Sequence, residues 1–370
     1  MNARPWSGGT SRTMVQSSCR VLLVYAVLAT ATLRLPAAEA TKAVPPEGVA
    51  PFDPKPLMEK VAERITMDKY RFAVIGDTKH AKTFPALTKY MEEELKPDFV
   101  IFTGDFVQAG GGKCGPKNWA KLAKESGASL RARPWWPVIG NHELAGTPTK
   151  KKHDDELDDD EPLSTDGLEN FKRFFNLDQE YYSFSFRNAV FVVLPWPLPK
   201  GASEKWLKEE LLKASATGKH IFICNHLPFY TVGGKSKRDI PNKETDITKL
   251  FQKHGVCAVF SGHDHTYYRT IRNGIPYIIS AGGGAKLYAV ARKDEALPGD
   301  VYYGVEPAGM LDILAKKRYL YHNGAAGWPD KLTEQPDQYV VIVDVDGPKV
   351  TMFTVTAKGE KWDGLELSRK

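Results

Sequence analysis

The chain has 370 residues, of which 42% are hydrophobic and 26% are charged, and its formal net charge is +6. This composition is typical of a folded globular protein and excludes collagen-like and intrinsically disordered classes. Several of the positive charges lie within the first forty residues, where acids are almost absent, so the remainder of the chain is close to neutral. Charge therefore gives no indication of a nucleic-acid partner.

The N-terminal segment predicts an export signal. Basic residues precede an apolar run at residues 21–33, and the pattern Ala-Glu-Ala follows at residues 38–40. This order is typical of a secretory signal peptide, whereas a membrane span needs about 20 apolar residues. We expect residues 1–40 to be removed and the mature protein to be secreted or periplasmic, without a stable membrane span. An uncleaved N-terminal anchor is the alternative.

The segment after the export signal predicts a linker and then one domain. Residues 41–56 are rich in proline and lack hydrophobic periodicity, which is typical of a linker. We expect ordered structure to start near Leu57, so that residues 57–370 form a single catalytic domain. An acidic run at residues 154–161 is expected to form a solvated loop, with a calcium site as the alternative.

Three cysteines remain after the export signal, namely Cys114, Cys224 and Cys257. An odd count argues against a complete disulfide framework. Cys224 and Cys257 lie in apolar runs, so we expect them to act as small buried hydrophobic residues.

Within the domain, short apolar runs alternate with amphipathic segments. Strands are predicted at residues 71–75, 98–102, 136–139, 191–194, 221–224, 257–260 and 275–280, and helices at 84–95, 204–213 and 246–254. Two antiparallel hairpins are predicted, one from 181–186 with 190–194 and one from 339–345 with 350–356. The pattern predicts an α/β fold, a mixed two-sheet β-sandwich flanked by helices. Residues 286–336 are rich in Gly, Pro and Tyr and are expected to form long loops.

Polar side chains follow five of the predicted strands. These strand ends carry Asp77, Asp105, Asn141 with His142, His226, and His263 with His265. Ligand sites of α/β sheets form at the carboxyl ends of strands, so we expect these groups to converge on one crevice. Asp, Asn and His together suit zinc, iron or manganese better than calcium, and the absence of thiolates here argues against a structural zinc site.

The ordered motifs GD, GD, GNHE, H and GHDH resemble those of the calcineurin-like metallophosphoesterases over about residues 71–285, within a secreted, purple-acid-phosphatase-like branch. The resemblance implies a metallophosphoesterase-like fold and a metal-dependent phosphoric ester hydrolase. It implies two bound ions, Fe, Zn or Mn, and hydrolysis of phosphate monoesters or diesters with a metal-bridging hydroxide. The implied partner is a phosphate-ester substrate, and nothing in the sequence indicates the oligomeric state.

The resemblance also implies roles for individual residues. It places the first ion at Asp77, Asp105 and His265, and the second at Asp105, Asn141, His226 and His263. Asp105 would bridge the two ions. His142 would stabilise the transition state or protonate the leaving oxygen.

Two residues depart from the family pattern. Lys79 stands where many members carry a histidine ligand; it either contacts substrate phosphate or is an ordinary exposed lysine. The neighbouring His80 either replaces that ligand or faces solvent. Gln108 stands where family phosphatases often have an Asp that orients the catalytic histidine or a Tyr that binds iron. We therefore expect a looser first site.

Two alternatives stay open. The first is a secreted nucleotidase or phosphodiesterase with the same core, because specificity lies in loops. The second is a non-catalytic metal-binding relic of the fold that lost one ion through Lys79 and Gln108.

Overall fold

The computed structural model describes residues 51–79, 82–146, 163–234, 240, 242–305, 318–321, 331–333 and 338–368. The predicted export signal, the acidic run at 154–161 and His80 lie outside the described residues. Among the described residues, no helix combines the length and apolar character that crossing a bilayer requires.

Helices and strands alternate through the first two thirds of the described chain. The helices are α1 (Pro54–Arg64), α2 (Phe84–Tyr90), α3 (Gly115–Ala132), α4 (Asn141–Leu144), α5 (Gly167–Phe175), α6 (Ala202–Ala216) and α7 (Asp246–Lys253). A π-helical turn, Met91–Leu95, continues α2, and a short 3₁₀ turn lies at Lys293–Glu295. The first nine strands are β1 (Lys69–Ile75), β2 (Phe99–Phe102), β3 (Trp135–Pro137), β4 (Tyr182–Phe186), β5 (Ala189–Val193), β6 (His220–Cys224), β7 (Ala258–Ser261), β8 (Tyr267–Arg272) and β9 (Ile275–Ser280). They are followed by β10 (Val301–Gly304), β11 (Arg318–Tyr321), β12 (Lys331–Thr333), β13 (Tyr339–Asp346), β14 (Lys349–Thr356) and β15 (Lys361–Ser368).

The strands form two mixed sheets. One has six strands in the order β15-β14-β13-β1-β2-β3, and the other has nine in the order β12-β11-β10-β8-β9-β7-β6-β5-β4. The pairs β1–β2, β2–β3, β5–β6, β6–β7 and β7–β9 are parallel. Both predicted hairpins are present as β4–β5 and β13–β14. The mixed two-sheet α/β fold predicted from the sequence is therefore confirmed.

The main core lies between the two sheets. Phe72 of the six-stranded sheet packs edge-on against Phe191 and Phe222 of the other sheet, with ring centroids 5.2 and 5.3 Å apart. A second core packs the other face of the six-stranded sheet against residues of α2, α3 and α5, and a third packs the nine-stranded sheet against α6 and α7. Burying these aromatic and aliphatic side chains is the main force that holds the layers together.

The start of ordered structure was expected near Leu57, and α1 begins at Pro54, whereas the prediction of loops throughout residues 286–336 was wrong. Asp53 caps this helix by accepting a hydrogen bond of 2.9 Å from the Lys55 N–H, and a proline in the first turn lacks an N–H group that would otherwise have no partner within the helix. The predicted loop region 286–336 also contains strand structure, since β10 to β12 extend the nine-stranded sheet beyond β8.

The cysteine expectation is partly confirmed. Cys224 is fully buried in the core between the sheets, whereas Cys257 is half-buried and packs against that core. Both residues and Cys114 are free thiols.

Candidate metal centre

Two carboxylates and one imidazole come together at the carboxyl ends of β1, β2 and β7. Asp77, Asp105 and His265 each offer a ligand atom, and these atoms all lie within 4.8 Å of one another. All three side chains are buried. The His265 Nε2 atom lies 3.3 Å from Asp77 Oδ1. This trio forms the first half of the candidate centre.

The second half is built around the amide of Asn141. Its Oδ1 atom lies 3.1 Å from His226 Nε2 and 3.1 Å from His263 Nδ1. The same Nε2 atom of His226 lies 3.2 Å from Asp105 Oδ1. Asp105 therefore lies between the two halves, and the structure brings together all six residues for which a ligand role was predicted.

Backbone carbonyls orient two of the imidazoles. His226 Nδ1 donates to the Thr103 carbonyl at 2.6 Å, and His265 Nδ1 donates to the Lys286 carbonyl at 2.8 Å. Each bond directs the Nε2 atom of the ring towards the carboxylates. A hydrogen bond of this kind fixes the tautomer and orientation that a metal-binding histidine needs.

The backbone of the centre is strained. Asp77, Asp105 and His263 have φ angles of 59°, 62° and 68°, in the left-handed region that non-glycine residues seldom occupy. Such strain persists only where the surrounding structure enforces it, and it concentrates at functional sites. At Gly140, which precedes Asn141, a Cβ atom would lie 2.4 Å from Asp105 Oδ1, so only glycine fits beside this carboxylate.

His142 lies against Asp105 but is oriented by a different group. Its backbone N–H donates to Asp105 Oδ1 at 3.1 Å, and its Nδ1 donates to the Gln108 carbonyl at 2.7 Å. The Nε2 atom lies 3.7 Å from Asp105 Oδ2. Gln108 thus holds the imidazole through its main chain, and Nε2 is the ring atom that can take up or release a proton beside the carboxylates.

The electrostatics of the centre favour added positive charge. Burial raises the pKa of Asp77 to about 7. Burial also pushes the pKa of Asp105 upwards, but nearby His142 and His226 outweigh it and hold that pKa well below its ordinary value. Burial lowers the pKa of His226, but the Asp105 carboxylate outweighs it and raises the pKa to about 9. Buried carboxylates therefore draw positive charge from the surrounding imidazoles, and a bound cation would supply it instead.

The donor set fits transition-metal ions. Carboxylate, amide and imidazole donors suit zinc, iron and manganese. Within the described part of the chain, the buried Oδ2 atom of Asp105 accepts no hydrogen bond and lies 3.4 Å from the Lys79 ammonium, so this oxygen already attracts positive charge. The residues present are therefore compatible with the ions that the sequence motifs imply.

Lys79 is part of the centre and is not an exposed lysine. Its side chain is 7% exposed, and its ammonium lies 3.4 Å from Asp105 Oδ2. Its backbone N–H donates to the Asp105 carbonyl at 3.1 Å. The interpretation of Lys79 as an ordinary surface residue is wrong, and His80 lies outside the described residues.

Glu143 supports the centre, a role that the sequence analysis missed. This fully buried carboxylate accepts backbone N–H bonds of 2.8 Å from Asp105, Phe106 and Gly140. Burial raises the pKa of Glu143 to about 7, although the bonds from Asp105 and Gly140 lower it. The signal was available, because a Glu three residues after a helix-capping position commonly bonds back to the cap.

A second missed residue is Trp196. Its ring centroid lies 5.4 Å from that of His226 and 5.2 Å from that of His263. The half-buried indole therefore covers one side of the second half of the centre. No motif in the sequence marks this residue.

Fold and site together define a two-sheet α/β protein built around a buried candidate metal centre. The profile of the calcineurin-like phosphoesterase family matches residues 70–267, more than half of the chain, and the protein belongs to this family. The chain is 27% identical over 210 residues to the serine/threonine-protein phosphatase CPPED1 of Danio rerio. That match covers 52% of this chain and 62% of the relative, so the chain spans less than two thirds of the relative's length.

Two solved structures share the fold. Purple acid phosphatase PPD1 from yellow lupin (Lupinus luteus) seeds superposes with a TM-score of 0.59 at 17% identity, covering 82% of this chain and 54% of that one. GAP50, the anchor in the inner membrane complex of Plasmodium, superposes with a TM-score of 0.53 at 14% identity, covering 82% of this chain and 89% of that one. At these identities the likeness concerns the fold alone.

Proposed function

We propose that this protein is a metal-dependent phosphoesterase that holds two ions and hydrolyses phosphate esters. The proposal depends on the position of Asp105. Its carboxylate oxygens lie close enough to the ligand atoms of both halves of the centre to share an ion with each half. Membership of the calcineurin-like phosphoesterase family supports the reaction class. When bound, a pair of ions acts as a Lewis acid on the phosphoryl group and makes water a stronger nucleophile.

The side chains would divide between the two ions as the motifs imply. Asp77, Asp105 and His265 would hold the first, and Asp105, Asn141, His226 and His263 the second. Iron, zinc and manganese all suit this set of donors. The left-handed backbone at Asp77, Asp105 and His263 supports a ligand role, because it aims these side chains into the centre at a cost in stability.

His142 would act on the leaving group. Its Nδ1 proton is held by the Gln108 carbonyl, so proton transfer takes place at Nε2. A positioned acid of this kind contributes about 10²- to 10⁴-fold to a rate.

The test measures ion content and turnover on the same samples of residues 41–370. We expect about two transition-metal ions per chain and hydrolysis of 4-nitrophenyl phosphate. Asp105→Asn should lose both bound ions and turnover, whereas the matched control Asp346→Asn, an exposed carboxylate paired with Lys69, should lose neither. Full activity in Asp105→Asn would show that this residue does not join the two halves.

A second candidate is a non-catalytic protein that kept the fold and one ion. The ammonium of Lys79 beside Asp105 favours it, because a fixed positive charge there weakens binding of a nearby cation. One ion or none, together with no turnover of monoester, diester or nucleotide substrates, would support this candidate. Turnover confined to nucleotides or to diesters would instead identify a nucleotidase or a phosphodiesterase.

Export of the chain is a separate part of the proposal. The basic and then apolar pattern of residues 1–40 supports cleavage after Ala40 and a secreted or periplasmic enzyme with one catalytic domain. N-terminal sequencing of the protein recovered outside the cytoplasm tests it, with residue 41 as the expected first residue. Recovery of the full-length chain in the membrane fraction would indicate an uncleaved anchor.

A further inference from the structure

The backbone of Lys79 is fixed directly against the metal centre. Lys79 follows β1 by four residues, has a left-handed φ of 43°, and donates its N–H to the Asp105 carbonyl at 3.1 Å. The side chain is 7% exposed, whereas lysines are almost never buried unless paired. Burying an ammonium is costly, and the Asp105 carboxylate 3.4 Å away offsets part of that cost.

The ammonium lies on the same side of Asp105 as the proposed proton donor. Lys79 Nζ is 3.4 Å and His142 Nε2 is 3.7 Å from the Oδ2 atom of Asp105. The metal-binding imidazole of His226 instead approaches Oδ1, at 3.2 Å. An oxygen group that binds between these two nitrogen atoms would therefore contact both the ammonium and the proton donor.

The charge of this group makes it suited to phosphate. Lysine presents three rotatable donors and a compact positive charge, which suits the non-bridging oxygens of a phosphoryl group. A phosphate monoester carries two negative charges above its second pKa of about 6, whereas a diester carries one. In a site largely closed to water, the attraction to a fixed positive charge grows in proportion to the charge of the substrate. In a diester, moreover, an ester group replaces one of the oxygens that could accept from the ammonium.

We propose, resting on the proposed function, that Lys79 contacts the phosphoryl group and makes this centre select phosphate monoesters over diesters. Lys79 is then a catalytic residue that supplies fixed charge, in addition to the charge of the ions. Lys79 would favour monoesters over diesters whichever metals are bound.

The test compares two substrates with the same leaving group, 4-nitrophenyl phosphate and bis(4-nitrophenyl) phosphate. Lys79→Met keeps the length of the side chain and removes its charge. We expect the ratio of kcat/KM for monoester over diester to fall about tenfold or more, in line with the loss of a hydrogen bond to a charged group. Lys79→Arg keeps the charge and should retain most of the preference. Lys89→Met, an exposed lysine of α2 paired with Glu93, is the matched control and should leave the ratio unchanged.

Two further measurements separate the possible outcomes. Ion content, measured in enough excess metal to saturate both proteins, should be equal in the wild type and Lys79→Met, while the affinity for inorganic phosphate, measured by calorimetry on the metal-loaded protein, should fall by a similar factor. A raised ion content with an unchanged monoester preference would overturn the proposal, because Lys79 would then act only on metal binding. If the wild type hydrolyses neither ester, the proposed function fails; unaltered phosphate affinity in Lys79→Met would then overturn the lysine's role as well.

Discussion

The carboxylate of Glu143 gives the sharpest test of how the centre is supported. Its Oε2 atom accepts from Asp105 N and Gly140 N at 2.8 Å each, and its Oε1 atom accepts from Phe106 N at 2.8 Å and Val107 N at 3.3 Å. One buried side chain therefore ties the turn after β2 to the start of α4. Both loops carry proposed ligands, so a change at Glu143 should affect the whole centre.

Glu143→Gln keeps the shape of the side chain but replaces one acceptor oxygen with an NH₂ group. Two backbone N–H donors then face another donor. Leaving a buried N–H group without an acceptor costs about 1–3 kcal/mol. Two such groups should lower the free energy of unfolding by about 2 kcal/mol or more, a large fraction of the roughly 5–15 kcal/mol of an ordinary domain.

Urea unfolding of the metal-free protein measures this decrease in the free energy of unfolding. Because no ions are bound, a change in ion binding cannot contribute to the result. Glu210→Gln is the control, because Glu210 is partly buried and, among the described residues, accepts one hydrogen bond, from the Ser183 hydroxyl. We expect a change of about 1 kcal/mol in the control. An unfolding free energy for Glu143→Gln within about 1 kcal/mol of the wild type would refute the reasoning, because the four N–H groups would then be satisfied without the carboxylate.

Three other outcomes are expected. His142→Asn should keep the wild-type ion content and lower kcat about 10²- to 10⁴-fold, and a loss of ions would instead make His142 a ligand. Removing the ions with a chelator should lower the melting temperature, because each ion stabilises the folded state by about 2.7 kcal/mol at a free concentration 100-fold above its Kd; an unchanged melting curve would contradict ion binding. Gly140→Ala should weaken ion binding, since the new methyl group would lie 2.4 Å from Asp105 Oδ1, whereas Gly364→Ala, with its nearest neighbour at 3.9 Å, should bind ions normally in the same calorimetric titration.

The proposed ligands could be predicted because each is marked locally. Asp105 and His263 follow apolar runs closely and are preceded by glycine, so strand, turn and polar group are all visible within a few residues. The carboxyl ends of parallel strands share one edge of a sheet, which then brings distant motifs together. The local sequence pattern and one rule of sheet topology were therefore enough to predict that these residues lie together.

The environment of Lys79 could not be predicted in the same way. Its burial depends on the turn after β1 meeting the turn after β2, and on an ion pair between side chains 26 positions apart in sequence. The support of His142 by Gln108 uses a backbone carbonyl, which every residue type carries and no motif marks. The strand β10 escaped prediction for a similar reason, because its pairing with β8 is non-local.

The left-handed backbone at Asp77, Asp105 and His263 has a consequence for the evolution of this protein. Each such residue costs about 1–3 kcal/mol, and glycine would occupy the same conformation without that cost. Where the ions are absent, selection for thermal resistance alone would therefore tend to replace these residues and discard the chemistry with them. A directed-evolution experiment that screens only for survival of heating in the presence of a chelator should accumulate changes at these three positions, and a population kept under selection for turnover should not.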